Sequence, residues 1–405
     1  MYTFLMPASR LITRTVRLYY VTRVLETAHF TLGVYLIYLT QYVGLSFTQA
    51  LALYVVMVAS STFFDLYGGG LADARGRKRS YVFGIAISLA AFYLPVLFIE
   101  NFYILLSLAA VAGLGSALSS NTITSIIADL LQHDQHRYRQ VNAHSQVALF
   151  VSRATAAVLG GLLFELASPL PFIAEAVALA AAALVAMAMH DPRGDLPPEP
   201  STVRRLVLDA LLHIRKAAPL ILRSSLALGF SALLAGDLLF TYLQPFFSSH
   251  GFSPTQLGIL FACISLLSAL GSWCVQYLHH RGWRLGVIIL AAAIIAVNGL
   301  GIASNVATIA LATIALQAIV NGMTIPTQRL IANESVPSRI RTTVLSASTT
   351  VTSAFMLAGF MISGLLADSG TPRIAGLSAA LLALIGLAIA VYALRLQRRT
   401  KHTRR

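Results

Sequence analysis

Long apolar runs recur along this chain with short polar breaks between them, and that rhythm limits what it can fold into more than any other feature. Runs of membrane length fall near residues 19–40, 47–70, 80–99, 102–131, 140–166, 170–189, 219–248, 254–278, 284–303, 306–332, 340–367 and 372–395. A hydrocarbon core about 30 Å thick is crossed by ~20 helical residues. Inside it every backbone N–H and C=O must find a partner within the protein, which a helix provides locally. The expected fold is therefore an all-α membrane protein with twelve transmembrane helices. Several runs exceed the minimum length, so tilt or extension beyond the bilayer is expected.

Only 11% of the residues are charged, where a soluble chain carries about a quarter. The net charge of +14 raises the possibility of a nucleic-acid partner. The basic residues sit instead in short clusters between apolar runs, which is the membrane pattern, so nucleic acid is excluded. Arg75, Arg77, Lys78, Arg79, then Arg137 and Arg139, Arg204, Arg205, Arg215 and Lys216, Arg281 and Arg284, and Arg339 and Arg341 occupy alternate loops. The opposite loops hold Glu100, Glu165, Asp368 and a single basic residue, Arg373. Lys and Arg resist translocation, so both termini are expected in the cytoplasm and the chain in the plasma (inner) membrane as a multi-pass protein. The basic start (Arg10, Arg14, Arg17) precedes an apolar run too long for a signal peptide, and reads as a retained first helix.

Prolines between His190 and Lys216 break the chain at its midpoint. The expected organisation is a six-helix bundle over 1–189, a cytoplasmic linker with an amphipathic helix over 190–216, a second six-helix bundle over 217–395 and a basic tail over 396–405. Arg75-Gly76-Arg77-Lys78 has a weak counterpart in Arg281-Gly282-Trp283-Arg284, and Arg137-Tyr138-Arg139 in Arg339-Ile340-Arg341. Two repeated halves are common in secondary transporters.

The stretch Gly69-Gly70-Leu71-Ala72-Asp73-Ala74-Arg75-Gly76-Arg77-Lys78-Arg79 closely resembles the loop between helices two and three of the major facilitator superfamily. Gly113-Leu114-Gly115, Ala128-Asp129-Leu130 and the segment Asn333–Ser346 resemble further parts of the same family. The resemblance implies secondary transport by alternating access. It also implies that Asp73 meets the N-terminus of helix eleven, forming a conformational latch with Gly69, Gly76, Arg77 and Lys78. A carboxylate at a helix N-terminus is favourable by about 0.3–1 kcal/mol at exposed sites. The chain resembles drug/proton antiporter-like members, with departures: Ala109 stands where their helix four has an Arg, and the run Arg153–Gly161 lacks their proline.

Ionisable groups at bilayer depth are functional candidates because they are costly there. Arg23, Glu26 and His29 lie three residues apart in the first span and share a helix face. Arg153 lies roughly 20 Å into the fifth span and needs an acidic partner; Glu26 is the first choice and Asp237, in the seventh, the second. Asp65 sits about a turn inside its helix end, placed either to carry protons or to brace the loop. Tyr35, Phe240 and Gln244 are expected at the cavity.

The leading reading is proton-coupled efflux of small amphipathic or hydrophobic molecules, with Glu26, Asp237 or Asp65 carrying the proton. The alternatives are a symporter or facilitator of an anionic nutrient bound through Arg153, and a non-transporting receptor. No phosphate-binding loop, metal constellation or nucleophile elbow is present, so an enzyme is not expected. The expected partners are a small-molecule substrate, protons and the bilayer. No cofactor is expected, and the chain is read as a monomer.

Overall fold

The computed structural model describes residues 8–119, 122–131, 134–190, 226–277, 281–335, 341–369 and 371–402. Side chains are described within these except at 8–10, 65–75, 281–282, 328–335, 341–352, 396–402 and a few isolated positions. The expected linker and its amphipathic helix fall in 191–225 and lie outside the described residues, as does the loop 336–340.

The described residues are helical, with no strand among them. The first half comprises α1 (Ala8–Glu26), α2 (Tyr35–Gln41), α3 (Phe47–Arg75), α4 (Arg77–Ser88), α5 (Phe102–Ser119), α6 (Thr122–Leu130), α7 (Gln135–Leu166) and α8 (Leu170–Met187). The second comprises α9 (Gly236–Ser249), α10 (Pro254–Cys274), α11 (Arg281–Ala303), α12 (Ala307–Ser335), α13 (Arg341–Asp368) and α14 (Pro372–His402). Ten helices among the described residues are long and apolar enough to cross a bilayer, and Ser353–Asp368 within α13 is a shorter apolar one.

The first expected span, 19–40, is not continuous. Helix α1 stops at Glu26 and α2 starts at Tyr35, with turns between. The interval holds Thr27, Thr31 and Gly33, whose chemistry disfavours a helix interior. The Thr27 hydroxyl donates back to the Arg23 carbonyl at 2.7 Å, a local bond that competes with the helical ladder. Two other helices carry π-helical turns. Leu89–Tyr93 follows α4 directly and leads through Leu94 to a 3₁₀ turn at Pro95–Leu97, and Gly229–Ala235 precedes α9. Pro95 has no N–H to continue a ladder.

The chain divides into two compact units: Met1–Leu45, Leu53–Ser201 and Ser253–Ala262 form one; Ser46–Ala52, Thr202–Phe252 and Cys263–Arg405 form the other. The core of the first gathers Tyr19, Tyr81, Ile126, Ile127, Leu179 and Met189. In the second, α11 and α14 make the broadest contact, and the small side chains Ala291, Ala292, Ala379 and Ala383 are fully buried. Small residues let helix backbones approach closely where lipid supplies no hydrophobic drive. Large apolar side chains such as Val177, Leu184, Leu365 and Leu381 are more than half exposed, the surface expected of a protein solvated by lipid.

Candidate functional site

The break in the first span is tied down by a residue that the sequence reading did not single out. Glu175 on α8 is 3% exposed. Its Oε2 accepts the Thr31 backbone N–H at 3.0 Å and the Thr31 hydroxyl at 2.7 Å. Its Oε1 accepts the Tyr93 hydroxyl at 3.1 Å and lies 3.0 Å from His29 Nδ1. Tyr93 ends the π-helical turn Leu89–Tyr93. Unwound backbone is tolerated at membrane depth only inside protein or beside a water-filled cavity, and discontinuous helices mark transporter binding sites. Glu175 is the lone ionisable residue between Leu170 and Met189, and that isolation was the signal available.

Arg23 and Glu26 form an ion pair one turn before the break, Nη1 to Oε2 at 3.0 Å. This corrects the expected pairing of Glu26 with Arg153. The reason is local: residues three apart on a helix are neighbours, so Arg23 reaches the carboxylate without leaving α1. Arg153 on α7 lies instead within electrostatic range of Tyr54, Arg23 and Glu175. Its Nε is buried with no hydrogen-bond partner, as is that of Arg23. Beside these charges runs an apolar groove of about 650 Å³ between α1, α7 and α8, lined by Val24, Leu25, Phe30, Val151 and Ala178 among others.

Asp237 belongs to the second unit. It sits in the first turn of α9, directly after the π-helical turn Gly229–Ala235. Its Oδ2 is buried without a hydrogen-bond partner. The backbone beneath it is braced from two helices. Gln317 on α12 donates through Nε2 to the Gly236 carbonyl at 3.4 Å, Asn298 on α11 donates to Gln317 Oε1, and the Thr313 hydroxyl donates to Asn298 Oδ1 at 2.7 Å. Asn298, Thr313 and Gln317 were not among the expected site residues, since none is ionisable or aromatic. π-Helical turns inside α-helices occur frequently at functional sites.

In the basic loop, Gly76 adopts φ 88° as the residue before α4, a conformation costly for any side chain with a Cβ. Arg77 is buried and pairs with Asp129 on α6. Lys78 donates to the carbonyls of Met187 and Met189 at 3.3 and 2.9 Å, a cation on the C-terminal end of α8. Asp65, Gly69 and Asp73 lie on α3, but their side chains fall outside the described residues. The Tyr35 ring stacks on Phe92 and tilts against Phe172, centroids 6.4 and 6.3 Å away. Phe240 and Gln244 lie on α9, with Gln244 buried.

Apolar helices with a broken span, π-helical turns and buried charges are features expected of a membrane transporter. The chain belongs to the Major Facilitator Superfamily, whose family model matches residues 24–359; it is a transporter of small molecules and not an enzyme. Among curated proteins none matches the sequence. Solved structures share the fold at low identity. The nucleoside transporter NupG is 17% identical, with a TM-score of 0.74 over 94% of this chain and 98% of that one. A bacterial homologue of the iron transporter ferroportin, in an inward-facing state, is 15% identical, with a TM-score of 0.72 over 96% of this chain and 100% of that one. A D-xylose-proton symporter is 14% identical, with a TM-score of 0.70 over 95% of this chain and 97% of that one.

Proposed function

We propose that this chain is a proton-coupled secondary transporter that exports small amphipathic molecules across the plasma (inner) membrane by alternating access. It does so as a monomer with twelve crossings and both termini cytoplasmic, driven by the proton gradient without a cofactor. The observation that carries this reading is Asp237, whose Oδ2 is buried and meets no hydrogen-bond partner. Burying an unpaired charge is costly, and a carboxyl group can carry a proton through such a place as a neutral group. Proton uptake on one side and release on the other then follow from the change of access. Glu26 is a weaker carrier because Arg23 holds it at 3.0 Å. The apolar groove beside the helix break suits an apolar substrate moiety, and the similar D-xylose-proton symporter carries proton coupling on this fold.

The test is Asp237→Asn in proteoliposomes, with a panel of amphipathic cations, neutral drugs and organic anions. The variant is expected to lose accumulation driven by a pH gradient while keeping exchange of labelled for unlabelled substrate. Gradient-driven accumulation at the wild-type rate would sink the assignment.

A second reading has its own observation. Glu26 is engaged by Arg23 and Glu175 by Thr31, Tyr93 and His29, while Arg153 Nε stays unpaired. A guanidinium so placed suits bidentate binding of a carboxylate or phosphate on the substrate. Arg153→Ala then removes the affinity for anionic members of the panel and leaves that for neutral ones; equal affinities for both would overturn it.

A further inference from the structure

A sequence repeat invisible to a search by charge joins four helix ends. Gly44-Leu45-Ser46-Phe47-Thr48-Gln49 leads into α3, and Gly251-Phe252-Ser253-Pro254-Thr255-Gln256 leads into α10. Both glycines take the same left-handed conformation, φ 79° and 81°. Both serines cap their helix with the same reciprocal pair of bonds. Ser46 N–H donates to Gln49 Oε1 at 3.0 Å and Gln49 N–H to Ser46 Oγ at 3.2 Å; for Ser253 and Gln256 the distances are 2.9 and 3.3 Å. Such boxes satisfy two of a helix's orphan donors and leave the others free.

Those others meet a second repeat. Gly161-Leu162-Leu163-Phe164-Glu165 closes α7 and Gly364-Leu365-Leu366-Ala367-Asp368 closes α13. The Asp368 carboxylate accepts the Phe47 and Thr48 backbone N–H groups at 2.7 and 3.0 Å. Glu165 accepts the Thr255 N–H at 3.1 Å. The missing fourth bond follows from the sequence: Pro254 stands where Phe47 does and has no N–H. The glycines permit the approach. A Cβ on Gly161 would lie 2.5 Å from the Pro254 carbonyl oxygen, and one on Gly364 would lie 2.8 Å from the Thr48 Cα. Each interlock falls within one compact unit, which takes in Ser253–Ala262 or Ser46–Ala52, while the rest of α10 or α3 counts with the other unit.

We propose that Glu165 and Asp368 are paired positioning residues of the transport cycle. Each latches a helix end on the membrane face opposite the chain's N-terminus, and the two release together when that face opens. The proposal rests on the transporter reading but not on proton coupling or on any substrate. A carboxylate on a helix N-terminus favours the closed contact electrostatically, and an exposed one does so modestly; both carboxylates are exposed. Two weak latches can thus hold a face shut without freezing it. Asp368 accepts two backbone N–H groups to Glu165's one, so it is the stronger.

Hydrogen-exchange mass spectrometry on the purified full chain in lipid nanodiscs separates a latch from a simple helix cap. Asp368→Ala is expected to speed exchange about two- to fivefold not only at 46–50 but also at 253–258, which it does not touch, and to slow exchange at 77–82 on the opposite face. Glu165→Ala should give the same pattern with a smaller amplitude, and Asp368→Glu and Glu165→Asp should restore most of the protection. Faster exchange confined to the helix whose cap was removed would overturn the proposal, as would unchanged exchange at all three segments. Normal exchange in variants of Asp237 alongside a coupled response here would separate the fate of this inference from that of the proton-carrier assignment.

Discussion

A carboxylate offers about four lone-pair sites, and a buried one needs most of them filled. Glu175 fills them with Thr31 N–H, Thr31 hydroxyl, Tyr93 hydroxyl and His29. Three of these partners are on or beside the break between α1 and α2, so the carboxylate supplies the acceptor that the unwound backbone lost. Glu175→Ala removes that acceptor and leaves the Thr31 N–H, buried in protein, without one. Each unsatisfied buried donor costs about 1–3 kcal/mol. The expected outcome is a clear fall in the thermal unfolding midpoint in detergent, with Glu175→Gln intermediate, because an amide keeps one acceptor oxygen. A midpoint equal to wild type in the alanine variant would mean that water replaces the carboxylate and that Glu175 does not hold the break. Arg77 poses the same question at the helix-loop junction. Its removal takes the paired guanidinium away from Asp129, whereas Arg77→Lys keeps the charge but not the planar fork.

At the scale of elements, helix ends are set by whatever satisfies their last carbonyls. Lys78 does this for α8 through the carbonyls of Met187 and Met189. Lys78→Met keeps the apolar stem and removes the cation, so α8 should lose about 0.3–1 kcal/mol and fray first at its C-terminal turn. Hydrogen exchange at 185–189 reads this out; exchange no faster than wild type would show that the contact contributes nothing. Such pairings explain which features could be read from residues alone. The positions of the apolar runs were legible because bilayer thickness fixes the length of a span. The break in the first was not, because Thr27, Thr31 and Gly33 disfavour a helix only mildly and the acceptor that stabilises the unwinding at Thr31 is 144 positions away at Glu175. Buried charges were legible as candidates, and Asp237 and Arg153 do occupy costly positions. Their partners were not, since i, i+3 geometry gave Glu26 to Arg23 while depth alone had suggested Arg153.

At the scale of the whole molecule, one helical segment can decide the orientation of every other. Arg77–Leu97 is a 21-residue candidate span, about 30 Å long at 1.5 Å per residue if fully α-helical, so its two ends must lie on opposite faces of the bilayer. Arg79 at one end and Glu100 just past the other are both exposed. Arg77, although central to the basic loop, is buried against Asp129, so a cysteine there would be masked whichever way the chain ran. The two native cysteines are free and Cys263 is exposed, so both are first replaced. In intact cells an impermeant maleimide is then expected to label Glu100→Cys and to leave Arg79→Cys unlabelled until the membrane is permeabilised. That pattern follows if Arg75, Arg77, Lys78 and Arg79 stay where Lys and Arg resist translocation. With an even number of crossings it places both termini in the cytoplasm and the Glu165 and Asp368 interlocks on the outer face. The reversed pattern would put the termini outside and the interlocks inside. It would refute the proposed orientation, while leaving the paired interlocks intact as latches of the cytoplasmic face.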